Sequence, residues 1–266
     1  MVVKKIGASR RKPKIAIIGL TSCEGCQFAM LDKGKRFLDW LAKCDVGEFR
    51  LVEDLPMKEK EQYDFCFVEG NPVTAENIKL LMDMRARCKT LVVIGNCAAL
   101  GGVWELKNYG NKQKTIKEVY KKMKVANPDI KEVDNFVKVD LTIPGCPIDG
   151  DEFMEIANQL LKGRTPKIPQ TPVCLECQKR GYECLLQKGE ICLGPITLAG
   201  CNAVCLKSKQ ACWGCRGLLQ GGQVQNLMKH LTKKFTKDQI YRVMEVFGAR
   251  DSIMKELEIE EKKNKK

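Results

Sequence analysis

Lys14-Ile15-Ala16-Ile17-Ile18-Gly19-Leu20, followed at once by Thr21-Ser22-Cys23-Glu24-Gly25-Cys26, is the stretch on which the fold turns. The first seven residues form a short apolar, β-branched run, which predicts a buried strand. The next six place two cysteines in a glycine-containing loop directly after it. The same order recurs downstream. Residues 90–94 (TLVVI) run into Gly95-Asn96-Cys97, and residues 136–143 alternate as a strand that ends at Pro144-Gly145-Cys146-Pro147. Residues 63–68 (YDFCFV) end in Glu69-Gly70, and a further strand is expected over 48–53.

Helical patterns lie between these strands. Phe28, Leu31, Phe37, Leu38 and Leu41 predict a helix over 27–42. Thr74 is placed to cap a helix carrying Ile78, Leu81 and Met82. Thr115 and Glu118 have the spacing of a capping box, ahead of Ile116, Val119, Tyr120 and Met123. Asp149 and Glu152 open a helix with Phe153, Ile156, Leu160 and Leu161 inside. Strands alternating with helices predict a mainly parallel sheet covered on both faces. All loops that follow strands then share one edge, where open α/β sheets bind ligands. Cys23, Cys26, Cys97 and Cys146 are therefore expected to meet at one point, with Glu24 and Glu69 on the same rim. Cys44, Cys66 and Cys88 lack such context and are expected to be structural thiols.

Residues 163–172 are rich in proline and basic residues and read as a linker. Beyond it, residues 172–217 hold eight of the fifteen cysteines: Cys174, Cys177, Cys184, Cys192, Cys201, Cys205, Cys212 and Cys215. Apolar side chains are sparse among them, so a covalent or coordinate framework is expected to hold the segment. Two gaps are Cys-x-x-Cys, which turns two thiolates toward one metal centre. Eight thiolates fill two four-ligand sites. Iron–sulfur clusters, zinc or four disulfides each satisfy that count. A last helix is expected from Thr236, with Gln239 in the capping-box position and Ile240, Val243, Met244 and Phe247 buried.

The chain has 266 residues and a formal charge of +13, which points first to an acidic partner such as nucleic acid. The single histidine, His230, excludes a histidine-rich metal site. Ser9-Arg10-Arg11-Lys12 and Leu20-Thr21-Ser22-Cys23 imitate export signals, but the apolar run from 15 to 20 is too short for one. No segment reaches membrane-spanning length. A cytoplasmic location is expected, where disulfides are rare and clustered cysteines usually bind metal.

Cys23-Glu24-Gly25-Cys26, Val68-Glu69-Gly70, Gly95-Asn96-Cys97-Ala98-Ala99-Leu100-Gly101-Gly102, Pro144-Gly145-Cys146-Pro147, Cys192-Leu193-Gly194-Pro195 through Cys201, and Cys212-Trp213-Gly214-Cys215 stand in this order along the chain. Together they resemble the small, electron-transferring subunit of nickel–iron hydrogenases. The cysteine-only C-terminal segment is most similar to the cytosolic archaeal branch, which includes sulfhydrogenase delta subunits and methanogen hydrogenase small subunits. The resemblance implies a flavodoxin-like parallel-sheet domain over 14–165, after a basic extension at 1–13. It implies a smaller cysteine-rich iron–sulfur domain over 166–258, with little regular structure and a C-terminal helix, and a charged tail at 259–266.

The resemblance further implies three 4Fe–4S clusters: a proximal one on Cys23, Cys26, Cys97 and Cys146, a distal one on Cys174, Cys177, Cys184 and Cys192, and a medial one on Cys201, Cys205, Cys212 and Cys215. Relatives with three medial cysteines carry a 3Fe–4S cluster there. Cys205 offers a fourth ligand, and Cys174 stands where other relatives use histidine. The implied partners are a large subunit bearing the nickel–iron centre and an acceptor subunit, such as one binding flavin. No catalytic residue is expected in this chain. A 4Fe–4S cluster with its thiolates carries roughly two negative charges, so three would lower the excess to about +7.

Two other readings remain at this point. One is a zinc-stabilised nucleic-acid-binding protein, against which aromatics make up only 6% and no helix is cleanly basic. The other is a quinone-reductase subunit like that of respiratory complex I, where two adjacent cysteines are expected at the first motif instead of Cys23-Glu24-Gly25-Cys26.

Overall fold

The computed structural model describes residues 11–52, 60–168 and 170–264. The chain forms two compact units. The first comprises the described residues up to Gly101 together with Asn111–Lys167; the second comprises Gly102–Gly110 and the described residues from Ile168 onward.

The first unit is built on five parallel strands: β1 (Lys14–Gly19), β2 (Asp45–Phe49), β3 (Tyr63–Glu69), β4 (Cys88–Ile94) and β5 (Leu141–Ile143), in the spatial order β2-β1-β3-β4-β5. Its helices are α1 (Gly25–Leu31), α2 (Lys35–Leu41), α3 (Ala75–Arg87), α4 (Asn96–Leu100), α5 (Lys112–Val119) and α6 (Gly150–Leu161). This is the α/β, flavodoxin-like order expected from the alternation of strands and helices. Every residue of β3 is buried, and so is the interior of β1, because helices cover both faces of the sheet.

Successive strand residues point to opposite faces. Cys66 and Val68 join Ala16, Ile18, Leu91 and Val93 in a core that also takes Leu81 and Met84 of α3. Phe67 points the other way, toward Trp40 at 5.9 Å and Phe153 at 5.4 Å between ring centroids. Phe37 stacks on Trp40 and tilts against Phe153, so α2 and α6 meet over an aromatic layer. Two caps follow the sequence: the Thr74 side chain accepts from Asn77 N, and the Asp149 side chain accepts from Asp151 N and Glu152 N.

Several expected boundaries move. The helix over 27–42 is two helices, because Gly34 adopts a positive φ of 52° and breaks the run. Its apolar spacing did not mark one buried face: Phe28 and Leu38 are exposed. The cap of α5 is Asn111, whose side chain accepts from Lys114 N, and not Thr115; no residue of α5 is buried. The strand expected over 136–143 is only Leu141–Ile143. Asp140 accepts Leu91 N through its carboxylate, and Phe136, Val137 and Val139 pack on the core as irregular chain. β2 spans Asp45–Phe49 instead of 48–53, and the end of that expected strand lies outside the described residues, as do residues 1–10 of the basic extension.

The second unit carries α7 (Val173–Lys179), α8 (Val204–Lys207), α9 (Val224–Leu231), α10 (Lys237–Glu245) and α11 (Ala249–Asn264). The capping box of Thr236 and Gln239 is present at α10, which buries Ile240 and Met244. α10 is not the last helix: α11 continues through most of the residues read as a charged tail. Residues 180–203 contain neither helix nor strand. They are less bare of core than their composition implies. Leu193 and Ile196 pack with Val224, Leu227, Leu231, Ile240, Met244 and Ile253, while Val173, Leu185, Leu206 and Ala211 gather around Cys192 and Cys212.

Truncating Phe67 removes the ring that joins α2 and α6 to the sheet, so Phe67→Ala is expected to cost about 3–5 kcal/mol in denaturant unfolding. Val119→Ala, at a position 70% exposed, should change stability by less than about 0.5 kcal/mol.

Candidate functional site

All fifteen cysteines are free thiols, so the four-disulfide alternative has no counterpart in this structure. The first group assembles at the C-terminal edge of the sheet. Cys23 and Cys26 stand at the start of α1 after β1, Cys97 lies in α4 directly after β4, and Cys146 follows β5 by three residues. Burial raises the Cys26 thiol well above its ordinary range, and Glu69, Cys97 and Cys146 push in the same direction. Burial also lifts Cys146 to about 11, with Cys97, Cys23 and Glu69 adding to it. Cys97 acts on both Cys26 and Cys146, and Cys23 acts on Cys146, so the four thiols lie close to one another. Gly95 is what lets them approach: at φ 84°, a Cβ there would stand 2.5 Å from Cys26 Sγ. The backbone is tied around them by Gly95 N to Ile143 O and Asn96 N to Gly145 O.

Glu69 lies beneath this group, not on its rim. It is 2% exposed. Its carboxylate accepts from Cys26 N at 3.0 Å, Gln27 N at 3.3 Å and Gln27 Nε2 at 3.0 Å. It therefore occupies the N-terminal end of α1, where orphan N–H groups attract an anion. Glu24 is exposed and holds a left-handed conformation with φ 61°.

The second group lies within the second unit. α7 carries Cys174 and Cys177, and the irregular chain after it carries Cys184 and Cys192. Burial lifts Cys174 to about 12, with Cys192, Cys177 and Cys184 contributing. Cys177 is raised by burial and by Cys192 and Cys184. The first atom of a side chain at Gly194 would lie 3.4 Å from the Sγ atoms of both Cys174 and Cys192. The N–H groups of Gly194 and Cys212 donate to Cys192.

The third group is less complete. Burial lifts Cys201 to about 11, Ala203 N–H opposes the shift, and Cys215 adds to it. Burial raises Cys212 further, offset by Gly214 N–H and the Thr197 hydroxyl; Cys192 and Cys215 both act on it, so it stands between two groups. Cys205 is placed differently. It is exposed on α8, and burial alone raises it, with no contribution from another cysteine. The other three thiols, Cys44, Cys66 and Cys88, are buried away from these loops, as expected of structural cysteines.

Among the described residues, no three His, Cys, Asp or Glu side chains converge tightly enough for a single metal ion. A polynuclear iron–sulfur cluster sets its ligands on a wider tetrahedron than one ion does. The donor chemistry fits such a group. The thiols are soft ligands, burial raises Cys26, Cys146, Cys174, Cys201 and Cys212 so that these resist ionising alone, and backbone N–H groups are aimed at several of the sulfurs. A cationic core offsets that resistance.

Sequence reasoning missed Glu176 and Arg216. Each is a charged residue inside or beside a cysteine motif, but nothing in the sequence states that Arg216 is buried or which loop Glu176 reaches.

Residues 23–160 match the family described as the 20 kDa subunit of NADH ubiquinone oxidoreductase. The chain is 34% identical over 240 residues to the delta subunit of sulfhydrogenase 2 of Pyrococcus furiosus, covering 88% of this chain and 99% of that one. It is 31% identical over 235 residues to a subunit of the F420-non-reducing hydrogenase vhu of Methanocaldococcus jannaschii, covering 77% of this chain and 81% of that one. Among solved structures, a chain of an NAD+-reducing [NiFe]-hydrogenase in the H2-reduced state superposes with a TM-score of 0.51 at 25% identity, over 60% of this chain and 96% of that one.

Removing the Glu69 carboxylate leaves three buried N–H donors without their acceptor. Glu69→Ala is expected to destabilise the first unit by roughly 2–4 kcal/mol, read by denaturant unfolding. Glu69→Gln retains an acceptor oxygen and should cost less.

Proposed function

The chain belongs to the NADH ubiquinone oxidoreductase 20 kDa subunit family, among hydrogenase subunits, and from that premise we propose that it is the electron-transfer subunit of a nickel–iron hydrogenase. In this reading it relays electrons between a large-subunit partner that activates dihydrogen and an acceptor subunit. The nickel–iron centre lies in the partner, and the acceptor subunit is one that binds flavin or a comparable carrier. The observation that carries the reading is the division of the motif cysteines into a group at the sheet edge and two groups in the second unit. The hydrogenase relatives favour this reading over a complex-I-like quinone reductase, and nothing in the structure favours a zinc-stabilised nucleic-acid binder. Among the described residues, no helix is long and apolar enough to cross a membrane.

Three iron–sulfur clusters, when bound, supply one-electron redox chemistry. What this chain's residues do is hold, orient and shield them. Cys23, Cys26, Cys97 and Cys146 hold the proximal group; Cys174, Cys177, Cys184 and Cys192 hold the distal one. Cys201, Cys212 and Cys215 hold the medial group, with Cys205 offering a fourth thiol from α8. Ile148 N–H donates to Cys26, Gly194 and Cys212 N–H to Cys192, and Ala203 N–H to Cys201. Each such bond favours the thiolate over the thiol, which is the form that binds iron. Cys26 and Cys212 are themselves buried and shield one side of their groups.

Three four-iron groups correspond to about twelve irons per chain. Anaerobic iron and sulfide analysis of the complex is the first measurement. A value near eleven assigns three irons to the medial group and removes Cys205 from it; a value near eight removes one group from the account.

Order along the relay is tested by two serine variants. Cys146→Ser should abolish dihydrogen-driven reduction of every acceptor, because the group nearest the large subunit is damaged. Cys184→Ser should impair the natural acceptor while a small dye is still reduced. Equal loss of both activities in both variants, with the complex still assembled, overturns the order.

A further inference from the structure

The group formed by Cys201, Cys212 and Cys215 has a charged side chain against it from two different segments. Arg216 directly follows Cys215 and is only 2% exposed. Its Nε donates to the carbonyl oxygens of Leu198 and Ala199 at 3.1 and 3.0 Å, which fixes the guanidinium against the chain leading into Cys201. Glu176 sits in α7 between Cys174 and Cys177. Its Oε1 accepts from Gly200 N at 2.9 Å and its Oε2 from Ala203 N at 3.1 Å, and Cys201 Sγ donates to the same Oε2 at 3.9 Å. The carboxylate thus reaches from the second cysteine group onto the loop of the third.

Pinning these loops does not need charge. A neutral amide in place of Arg216 could donate to the same carbonyls, and a neutral amide in place of Glu176 could accept from the same N–H groups. A permanently charged guanidinium is costly to bury. The two charges also act oppositely on the same sulfur: Glu176 disfavours the Cys201 thiolate and Arg216 favours it.

We propose that Glu176 and Arg216 are positioning residues whose opposite charges set the reduction potential of the group held by Cys201, Cys212 and Cys215. Arg216 raises that potential and Glu176 lowers it. The inference rests on the electron-transfer reading above. The physical step is general: reduction adds one negative charge, a nearby fixed cation favours that state, and a nearby anion opposes it. Charge and hydrogen bonding around the sulfurs are recognised levers on such potentials. Burial keeps solvent from screening Arg216, while Glu176 is half-buried and acts at close range through its bonds to the Cys201 loop. The sign for Arg216 holds whatever else the guanidinium touches, because removing it always subtracts one positive charge from that place.

The test is a potentiometric titration of the complete complex followed by electron paramagnetic resonance. The signal of the third group is identified by its loss in Cys215→Ser. Arg216→Gln should move that group's midpoint potential negative while leaving the proximal group's midpoint unchanged. Arg216→Lys should restore most of the difference, because it keeps the charge. Glu176→Gln should move the same midpoint positive.

A full iron content with an unmoved midpoint in Arg216→Gln overturns the proposal, as do shifts of the same sign in Arg216→Gln and Glu176→Gln. If Arg216→Gln fails to retain the third group's iron, Glu176→Gln decides: a positive shift supports the proposal, and no shift or a negative one overturns it. A wild-type complex without any iron–sulfur signal would instead overturn the functional reading, and this inference with it.

Discussion

Parallel pairing of β1, β3, β4 and β5 is the constraint on which the rest depends. Parallel neighbours all finish at the same edge, so whatever follows each strand is delivered to one place. Gly19 pairs with Glu69, Glu69 with Ile94, and Ile94 with Ile143. That single row of four residues brings the Cys23–Cys26 loop, Cys97 and Cys146 to one edge, with Glu69 buried beneath them. The aromatic layer of Phe37, Trp40, Phe67 and Phe153 packs α2 and α6 onto the same sheet.

Gathering thiols at a buried point has an electrostatic cost. Cys26, Cys146, Cys174, Cys201 and Cys212 all resist ionising, burial being the largest cause in each. The fold offsets part of that cost with backbone N–H donors, which glycine-rich loops present at short range. It deepens the cost at the first group, where Glu69 adds its own negative charge while satisfying the end of α1. Such a place suits a cationic core and suits little else. At the third group the same electrostatics run both ways, through Glu176 and Arg216.

The second unit solves a different problem. Its cysteine-bearing chain has almost no regular structure and only a small apolar cluster of its own. α9, α10 and α11 supply a conventional core into which Leu193 and Ile196 insert. The cysteine-bearing loop is thereby anchored by apolar packing.

Strand identity, the alternation with helices and the positions of the cysteine loops were legible in the sequence, because period-two and period-3.6 patterns report burial directly. The resemblance carried by the cysteine motifs added the family. Some of what the sequence did not yield was present but unread: Val224, Leu227 and Leu231 have the spacing of α9, and Asn111 is a better cap than Thr115. Other features were not there to read. The late start of β5 after Asp140, the burial of Arg216 and the reach of Glu176 across two loops are fixed by contacts between residues distant in the chain. Local pattern records how a residue meets its sequence neighbours. It does not record which far segment arrives opposite, and that arrival decides whether a charge stays in water or becomes part of a site.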